Sequence, residues 1–302
     1  MKFENMDECK VAYLILAHTD AIHLEKLVKA IDYKARIFIH LDAKSRMSDF
    51  VGLKLPKSAE FIKERVKVYW GGFSMVKATL NLMKAALTSG EKFSHLVLLS
   101  GLDYPIKPSW AIYNFLTNHS NKQFIRFIDM QESPTPQMKR IFHYWFMEPI
   151  FPFSFYIDKS IRSILQKLLG LGVFKKPLKN MAPTFGSQWW AITPECASYI
   201  LQFVVDNPQF VDFYKYSHAP DEHFFHTIVA NSSYLNQTDG FQKGIKWPRQ
   251  MANLHIIYLN KIFNESNFDE IKVSDKYFIR KVMSKKSSRL IELIDKNCLL
   301  NP

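Results

Sequence analysis

Cysteines, glycine-rich phosphate turns and long apolar runs are all scarce in this 302-residue sequence. The three cysteines, Cys9, Cys196 and Cys298, are odd in number and far apart, which excludes a disulfide framework or a zinc pattern and favours a reducing compartment. No apolar run approaches the length of a membrane-spanning helix. Acidic residues precede the first apolar run, unlike the basic start of a secretory signal. We therefore expect a cytoplasmic protein, free or peripheral at the inner face of the cell membrane.

Short apolar or alternating runs are spread along the chain and indicate its fold class. They predict strands at residues 11–17, 37–42, 66–70, 93–100, 123–129 and 186–193. Segments with helical spacing lie between them, as in a doubly wound sheet. We expect an α/β protein with a Rossmann-like, mostly parallel sheet and helices on both faces. No G-x-G-x-x-G turn follows the first strand, which argues against a dinucleotide-binding dehydrogenase.

Polar side chains follow several of these predicted strands, where α/β proteins bind ligands. His18 and Asp20 follow the first strand and Asp42 ends the second, and these groups suit hydrogen bonds to a base or a ribose. Asp20 is equally well explained as a helix cap. Asp103 follows the run at 93–100, where a ligand contact and a simple Gly-Asp-Pro turn are both open readings.

The charge balance points to an anionic partner. A formal net charge of +12 fits nucleic acid, an acidic membrane surface or a phosphorylated substrate. No nucleic-acid recognition motif appears, so we expect no nucleic-acid partner. The regular pattern degrades over residues 131–183, where Arg140 and Tyr144 lie in a basic, aromatic cluster that we interpret as part of the substrate cleft. A basic amphipathic helix predicted at 161–174 either covers the sheet or contacts an anionic membrane.

Two acids follow a proline at residues 220–222, a typical helix start in which Asp221 and Glu222 complement the helix dipole. A zinc protease is excluded here, because its helix needs His-Glu-X-X-His. In this chain His223 and His226 are three apart and the glutamate precedes both.

Six segments, in this order, resemble the core-2/I-branching glycosyltransferases, which transfer N-acetylglucosamine, or xylose in the peptide xylosyltransferase branch, from a UDP-sugar. They are residues 12–18 (AYLILAH), 39–45 (IHLDAKS), 70–74 (WGGFS), 99–107 (LSGLDYPIK), 186–190 (GSQWW) and 220–222 (PDE). The order and approximate spacing of these segments agree with those of the family over most of residues 10–230. The resemblance implies the GT-A fold, inversion at the anomeric carbon and no divalent metal or other cofactor.

The resemblance also assigns roles on the acceptor side. Glu222 would be the general base that takes the proton of the attacking hydroxyl. From their positions beside Glu222 and in the predicted cleft segment, we expect Asp221, Arg140 and Tyr144 to face the acceptor. One of Trp189 and Trp190 would stack on a sugar, and the other would pack in the core.

On the donor side, fixed cations would replace the metal beside the diphosphate. Arg280 and Lys281 lie in a segment that resembles the family's lysine-bearing motif. The family's second cation, an arginine, falls near His255, so either His255 or another base such as Arg249 would serve. Asp103 alone offers one carboxylate, too few to hold a divalent ion.

These assignments predict a single GT-A-like domain over residues 1–302. Residues 10–130 would form the nucleotide-sugar-binding half, 131–183 an insertion, and 184–302 the acceptor half with a basic tail. We expect a UDP-sugar donor, foremost UDP-N-acetylglucosamine, with UDP-xylose as the alternative. The acceptor would be a glycan or lipid-linked glycan of a bacterial surface polysaccharide. A basic protein that binds nucleic acid or another anionic ligand without catalysis is the remaining alternative. A family member that binds the sugar nucleotide without catalysing transfer is disfavoured by the presence of Glu222.

Overall fold

The strands and helices follow one another in an α/β order. The computed structural model describes residues 9–130, 137–149, 155–169, 175–176, 178, 181–243, 250–258 and 261–300. Its strands are β1 (Lys10–Ala17), β2 (Ala35–Leu41), β3 (Ala59–Phe61), β4 (Phe93–Ser100), β5 (Asp103–Pro105), β6 (Ile128–Asp129), β7 (Thr184–Phe185), β8 (Ala191–Ile192), β9 (His255–Ile257) and β10 (Phe278–Arg280). Its α-helices are α1 (Ala21–Ala30), α2 (Ser74–Leu87), α3 (Ser109–Thr117), α4 (Gln137–Phe142), α5 (Phe155–Leu169), α6 (Pro194–Asp206), α7 (Pro208–Lys215), α8 (Phe224–Ala230), α9 (Phe268–Lys272) and α10 (Ser288–Ile294).

The central sheet has the strand order β3-β2-β1-β4-β8. Its first four strands are parallel, and β8 pairs antiparallel with β4. Along β1, successive side chains point to opposite faces of the sheet. Leu14 and Leu16 therefore join one core, under α2 and α6, while Tyr13 and Ile15 join the other, under α1 and α3. The predicted α/β class, with a mostly parallel sheet covered on both faces, is confirmed.

Three of the predicted strands are wrong or too long. Residues 66–70 are not a strand, and the edge strand of the sheet is β3, a few residues earlier. The backbone of 66–68 finds other partners, because Val66 N donates to His40 Nε2 (3.0 Å) and Val68 N to Asp42 Oδ1 (3.2 Å). The strands predicted at 123–129 and 186–193 are too long, because the structure has only the two-residue strands β6 and β8 there.

A second sheet of order β5-β10-β9 lies beside the first. Strand β10 pairs antiparallel with β5, so that Arg280 lies opposite Asp103. It pairs parallel with β9 on its other edge. The basic C-terminal segment is thus placed against the end of β4, which is the ligand-binding edge of the main sheet.

The predicted insertion at 131–183 is described in part, as α4, α5 and a few residues beyond. Lys175 links it to the following helices by donating to Phe213 O (2.8 Å) and Ser217 Oγ (3.0 Å). The helix predicted at 161–174 coincides with α5 as far as Leu169, and its last residues lie outside the described ones. Ile164 and Leu168 of α5 are more than half exposed. Within the described ranges no helix is long and apolar enough to cross a bilayer, and contact with an anionic membrane stays a prediction.

Candidate active site

A cavity of about 450 Å³ opens at the carboxyl ends of β1, β2 and β4. The chain winds from β1 to one side of the sheet and returns to β4 on the other, so the topological switch point, where α/β proteins bind ligands, lies between β1 and β4. The polar and charged side chains that line the cavity are His18, His40, Asp42, Lys44, Ser100, Arg140, Gln188, His218, Asp221, Glu222, Arg280 and Lys281.

The wall formed by β1 and β2 is polar and well ordered by hydrogen bonds. Asp42 Oδ1 accepts from the backbone N of Lys44 (2.8 Å) and of Val68 (3.2 Å). Lys44 Nζ lies 3.6 Å from the other Asp42 oxygen and 4.5 Å from the centre of the Tyr69 ring. Burial and the nearby Arg280 charge lower the pKa of His18, so its imidazole is neutral at neutral pH and offers both a donor and an acceptor.

Two adjacent cations approach the cavity from the end of β10. The Arg280 guanidinium lies 4.4 Å from the centre of the Trp189 ring, and its NH1 donates to Asp103 Oδ1 at 3.1 Å. Both partners hold the guanidinium in one orientation. Burial lowers the pKa of Lys281, and the charge of Arg280 lowers it further. An anion placed between the two side chains would relieve this repulsion.

Two carboxylates, Asp221 and Glu222, also line this cavity. Asp221 and Glu222 lie in a 3-10 turn (Pro220–Glu222) that precedes α8. Arg140 NH1, from α4, donates to Glu222 Oε2 at 3.0 Å. Burial raises the pKa of Glu222 and the Asp221 charge raises it further, while Arg140 opposes both effects. Burial likewise raises the pKa of Asp221. From the sequence we expected the dipole of a helix to favour the ionised form of Glu222. In the structure the positive charge that favours this form is Arg140.

A protein-family model described as Core-2/I-Branching enzyme matches residues 11–272. The chain belongs to the Core-2/I-Branching enzyme family. This family consists of glycosyltransferases, and its GT-A-like fold, predicted from the six sequence segments, is confirmed by the mostly parallel sheet with helices around it.

Several mammalian proteins are similar to this family member. Xylosyltransferase 2 of Mus musculus is 25% identical over 261 residues, 80% of this chain and 27% of that protein. Xylosyltransferase 2 of Homo sapiens is 25% identical over 240 residues, 74% of this chain and 25% of that protein. Xylosyltransferase 1 of Rattus norvegicus is 23% identical over 260 residues, 80% of this chain and 28% of that protein. The chain thus spans about a quarter of the length of these relatives.

Two residues that we expected to touch the donor lie behind the cavity of this Core-2/I-Branching enzyme. Asp103 and His255 are both fully buried and do not line it. Asp103 accepts from Ser100 N at 2.8 Å and lies 3.3 Å from His255 Nε2, besides its contact with Arg280. Burial alone would raise the pKa of Asp103, but the Arg280 charge and His255 outweigh it and lower that pKa. Asp103 is therefore a counter-ion that orients Arg280. Arg249 lies outside the described residues.

Three other predicted contacts are also placed away from the cavity. Both Asp20 oxygens are engaged, with His23 N (3.2 Å) at the start of α1 and with Ser284 N (2.8 Å), so the helix-cap interpretation holds. Trp190 is 1% exposed and packs on Phe225 in the core. Tyr144 contacts Tyr216 and the Lys175 ammonium rather than the cavity. Trp189 does line the cavity, with Arg280 on its ring.

Other residues that line the cavity were not singled out from the sequence. His40 accepts from Val66 N through Nε2, so its proton is on Nδ1, and burial lowers its pKa. Lys44, Trp70 and His218 also face the cavity. All but His218 lie inside segments that carry the family resemblance, which is the signal that would have found them.

No group of three or more metal-binding side chains occurs in the part of the chain that the structure describes. Asp103 is already committed to Arg280 and His255, so its single carboxylate does not face a diphosphate. We therefore derive no catalytic step through a divalent ion, and catalysis without a metal stays a prediction.

Proposed function

We propose that this chain is an inverting glycosyltransferase that moves a sugar from a UDP-sugar to a hydroxyl group of a glycan. The observation that supports the proposal most strongly is that one cavity is lined both by a carboxylate, Glu222, and by the cation pair Arg280 and Lys281. A transferase that works without a metal needs a base on the acceptor side and fixed positive charge on the leaving-group side.

In the proposed reaction, the acceptor hydroxyl oxygen attacks C1 of the donor sugar and its proton passes to Glu222. A C1–O bond forms on one face of the ring while the bond from C1 to the UDP oxygen breaks on the other, which inverts the anomeric centre. The electron pair of the broken bond leaves with UDP. Arg280, which Asp103 and Trp189 hold in place before the reaction, and Lys281 stabilise the negative charge that develops on the diphosphate.

We place the nucleotide against the wall that contains His18, Asp42 and Lys44. The neutral His18 ring and the free lone pairs of Asp42 suit the hydrogen-bonding edges of a base or ribose. We propose N-acetylglucosamine as the sugar, from the family resemblance, and an acceptor in a bacterial surface polysaccharide. The names of the similar xylosyltransferases favour xylose as the second candidate.

The experiment measures UDP release from a panel of UDP-sugars with EDTA present, comparing Lys281→Ala with Lys286→Ala. Lys286 is an exposed lysine in the same segment that does not line the cavity, and serves as the matched control. We expect release from UDP-N-acetylglucosamine or UDP-xylose without metal, reduced about a hundredfold by Lys281→Ala and unchanged by Lys286→Ala, as for the loss of one fixed charge-stabilising donor. An absolute requirement for manganese, or equal effects of the two substitutions, would contradict the proposal. Binding of UDP-sugar without any turnover would favour the non-catalytic alternative.

A further inference from the structure

Trp70 is an exposed tryptophan at the wall of the cavity, where its side chain is 76% exposed. Trp110 is 42% exposed, and Trp189 and Trp190 are buried. Large aromatic side chains are normally buried, because their apolar area is costly to leave in water. An exposed aromatic surface that forms part of a cavity therefore marks a place where a ligand covers it.

The backbone around Trp70 is fixed, so the exposed ring is a property of the fold. Gly71 has a φ of +72°, which favours glycine, and a Cβ there would lie 3.1 Å from Met147 Cε. Gly72 N donates to Tyr69 O at 3.0 Å and closes the turn. At Gly72 a Cβ would overlap the carboxylate of Glu148, which accepts from the backbone N of Ser74 at the start of α2.

This turn is joined directly to the loop that carries the proposed base. Ala219 N, three residues before Glu222, donates to Gly71 O at 2.8 Å. The Trp70 ring meets the His218 ring nearly at right angles, with 5.7 Å between their centres. His218 in turn contacts Trp145, at 5.1 Å. Trp70 is thus supported from the acceptor-facing part of the cavity.

The donor-binding groups have other aromatic partners. Arg280 lies over Trp189, and Lys44 lies over Tyr69. An indole face that is left open beside the base is suited to the apolar C–H face of a pyranose ring, whose hydroxyl groups point outward around its edge. We propose that Trp70 is the stacking surface for the acceptor sugar, and that it holds the ring whose hydroxyl group Glu222 deprotonates. This inference rests on the proposed function.

The binding test uses the full chain labelled with 5-fluorotryptophan and followed by fluorine NMR. The variants Trp70→Phe and Trp110→Phe assign the two resonances. The probes are UDP alone and a panel of methyl pyranosides, including methyl β-galactoside, methyl β-glucoside and methyl β-N-acetylglucosaminide, each added with UDP present. We expect at least one methyl glycoside to shift the Trp70 resonance and to leave the Trp110 resonance in place.

A Trp70 shift caused by UDP alone, with no further change on adding any glycoside, would overturn the proposal and make Trp70 a platform for the base. No response to any probe would overturn it as well. Because this readout needs no turnover, a chain that binds glycosides at Trp70 but releases no UDP from UDP-sugars would refute the proposed function and retain this site.

Kinetics supply a second readout where a glycoside of the panel is turned over. Trp70→Ala should raise the KM for that acceptor about tenfold, the size expected for loss of one stacked aromatic contact, with the donor KM within twofold of wild type. Trp70→Phe should recover most of the loss. Trp110→Ala, the exposed control outside the cavity, should change neither value. A rise in the donor KM that equals the rise in the acceptor KM would contradict a role specific to the acceptor.

Discussion

Arg140 limits the rise in the pKa of Glu222, and replacing Arg140 by glutamine tests that role. The pair is joined at 3.0 Å, and each side chain is 25% exposed. Burial and the neighbouring Asp221 charge already raise the pKa of Glu222, and Arg140 is the charge that opposes them. Since the base must be ionised to accept a proton, the acidic limb of the pH profile of kcat/KM reports the pKa of Glu222 in the free enzyme.

The size of the effect follows from the separation and the exposure of the pair. Two unit charges about 4 Å apart interact by about 4 kcal/mol at an effective dielectric constant of about 20. Solvent reaches a quarter of each side chain, so we reduce this figure to about 1.4–2.7 kcal/mol, which corresponds to one to two pKa units. Removing the positive charge raises the pKa of the glutamate, so the acidic limb moves to higher pH by that amount.

The assay is UDP release as a function of pH for wild type, Arg140→Gln and Arg140→Lys. We expect a loss of about ten- to a hundredfold at fixed pH on the acidic limb for the glutamine variant, recovered at higher pH, and a much smaller shift for the lysine variant. Arg289→Gln, which removes an exposed ion pair with Glu292 far along the chain, is the control and should leave the profile in place. An acidic limb that stays fixed or moves to lower pH in Arg140→Gln would refute the reasoning.

Two further predictions concern the scaffold of the site. Gly186→Ala should lower the free energy of unfolding by about 3 kcal/mol or more, because the new Cβ would overlap the buried His226 ring and the Arg126 carbonyl. Gly52→Ala, where nothing lies within 4 Å of the new Cβ, should be nearly neutral in denaturant titration. Equal unfolding midpoints for the two variants would contradict this packing. Asp103→Asn should raise the Kd for UDP about tenfold, because Arg280 loses its buried counter-ion. Calorimetry measures this Kd. An unchanged Kd in a folded variant would show that Arg280 needs no such support.

The central strands could be predicted from the sequence because their signal is local. Each of β1, β2 and β4 contains a short continuous apolar run, at residues 11–17, 37–39 and 96–99, as buried parallel strands require. The error at residues 66–70 has a non-local cause. Val66 and Val68 resemble strand residues, but the groups that accept their N–H hydrogens are side chains of His40 and Asp42. No pattern within a short window reveals such partners.

The candidate site was likewise predictable only in part, because the sequence gives the type of each residue but not its surroundings in the fold. The resemblance nominated Glu222, Arg280 and Lys281, and the structure brings all three to one cavity. His255, which the resemblance also nominated, and Asp103, which its position after a predicted strand suggested, are fully buried behind that cavity. The motif identifies the neighbourhood of the site, but whether a side chain faces the ligand or supports another side chain depends on tertiary packing. The exposure of Trp70 could not be predicted for the same reason.

The measurement that tests the central claim most directly compares wild type with Glu222→Gln for donor binding and for UDP release to an acceptor, with EDTA present. The account predicts that the glutamine variant binds the UDP-sugar within about threefold of wild type, since Glu222 does not hold the donor, and loses about a hundredfold or more in turnover, since a general base contributes about 10²–10⁴-fold. Glu292→Gln, an exposed glutamate outside the cavity, should leave both quantities unchanged. Wild-type turnover in Glu222→Gln would contradict the assignment of the base, and with it the proposed mechanism.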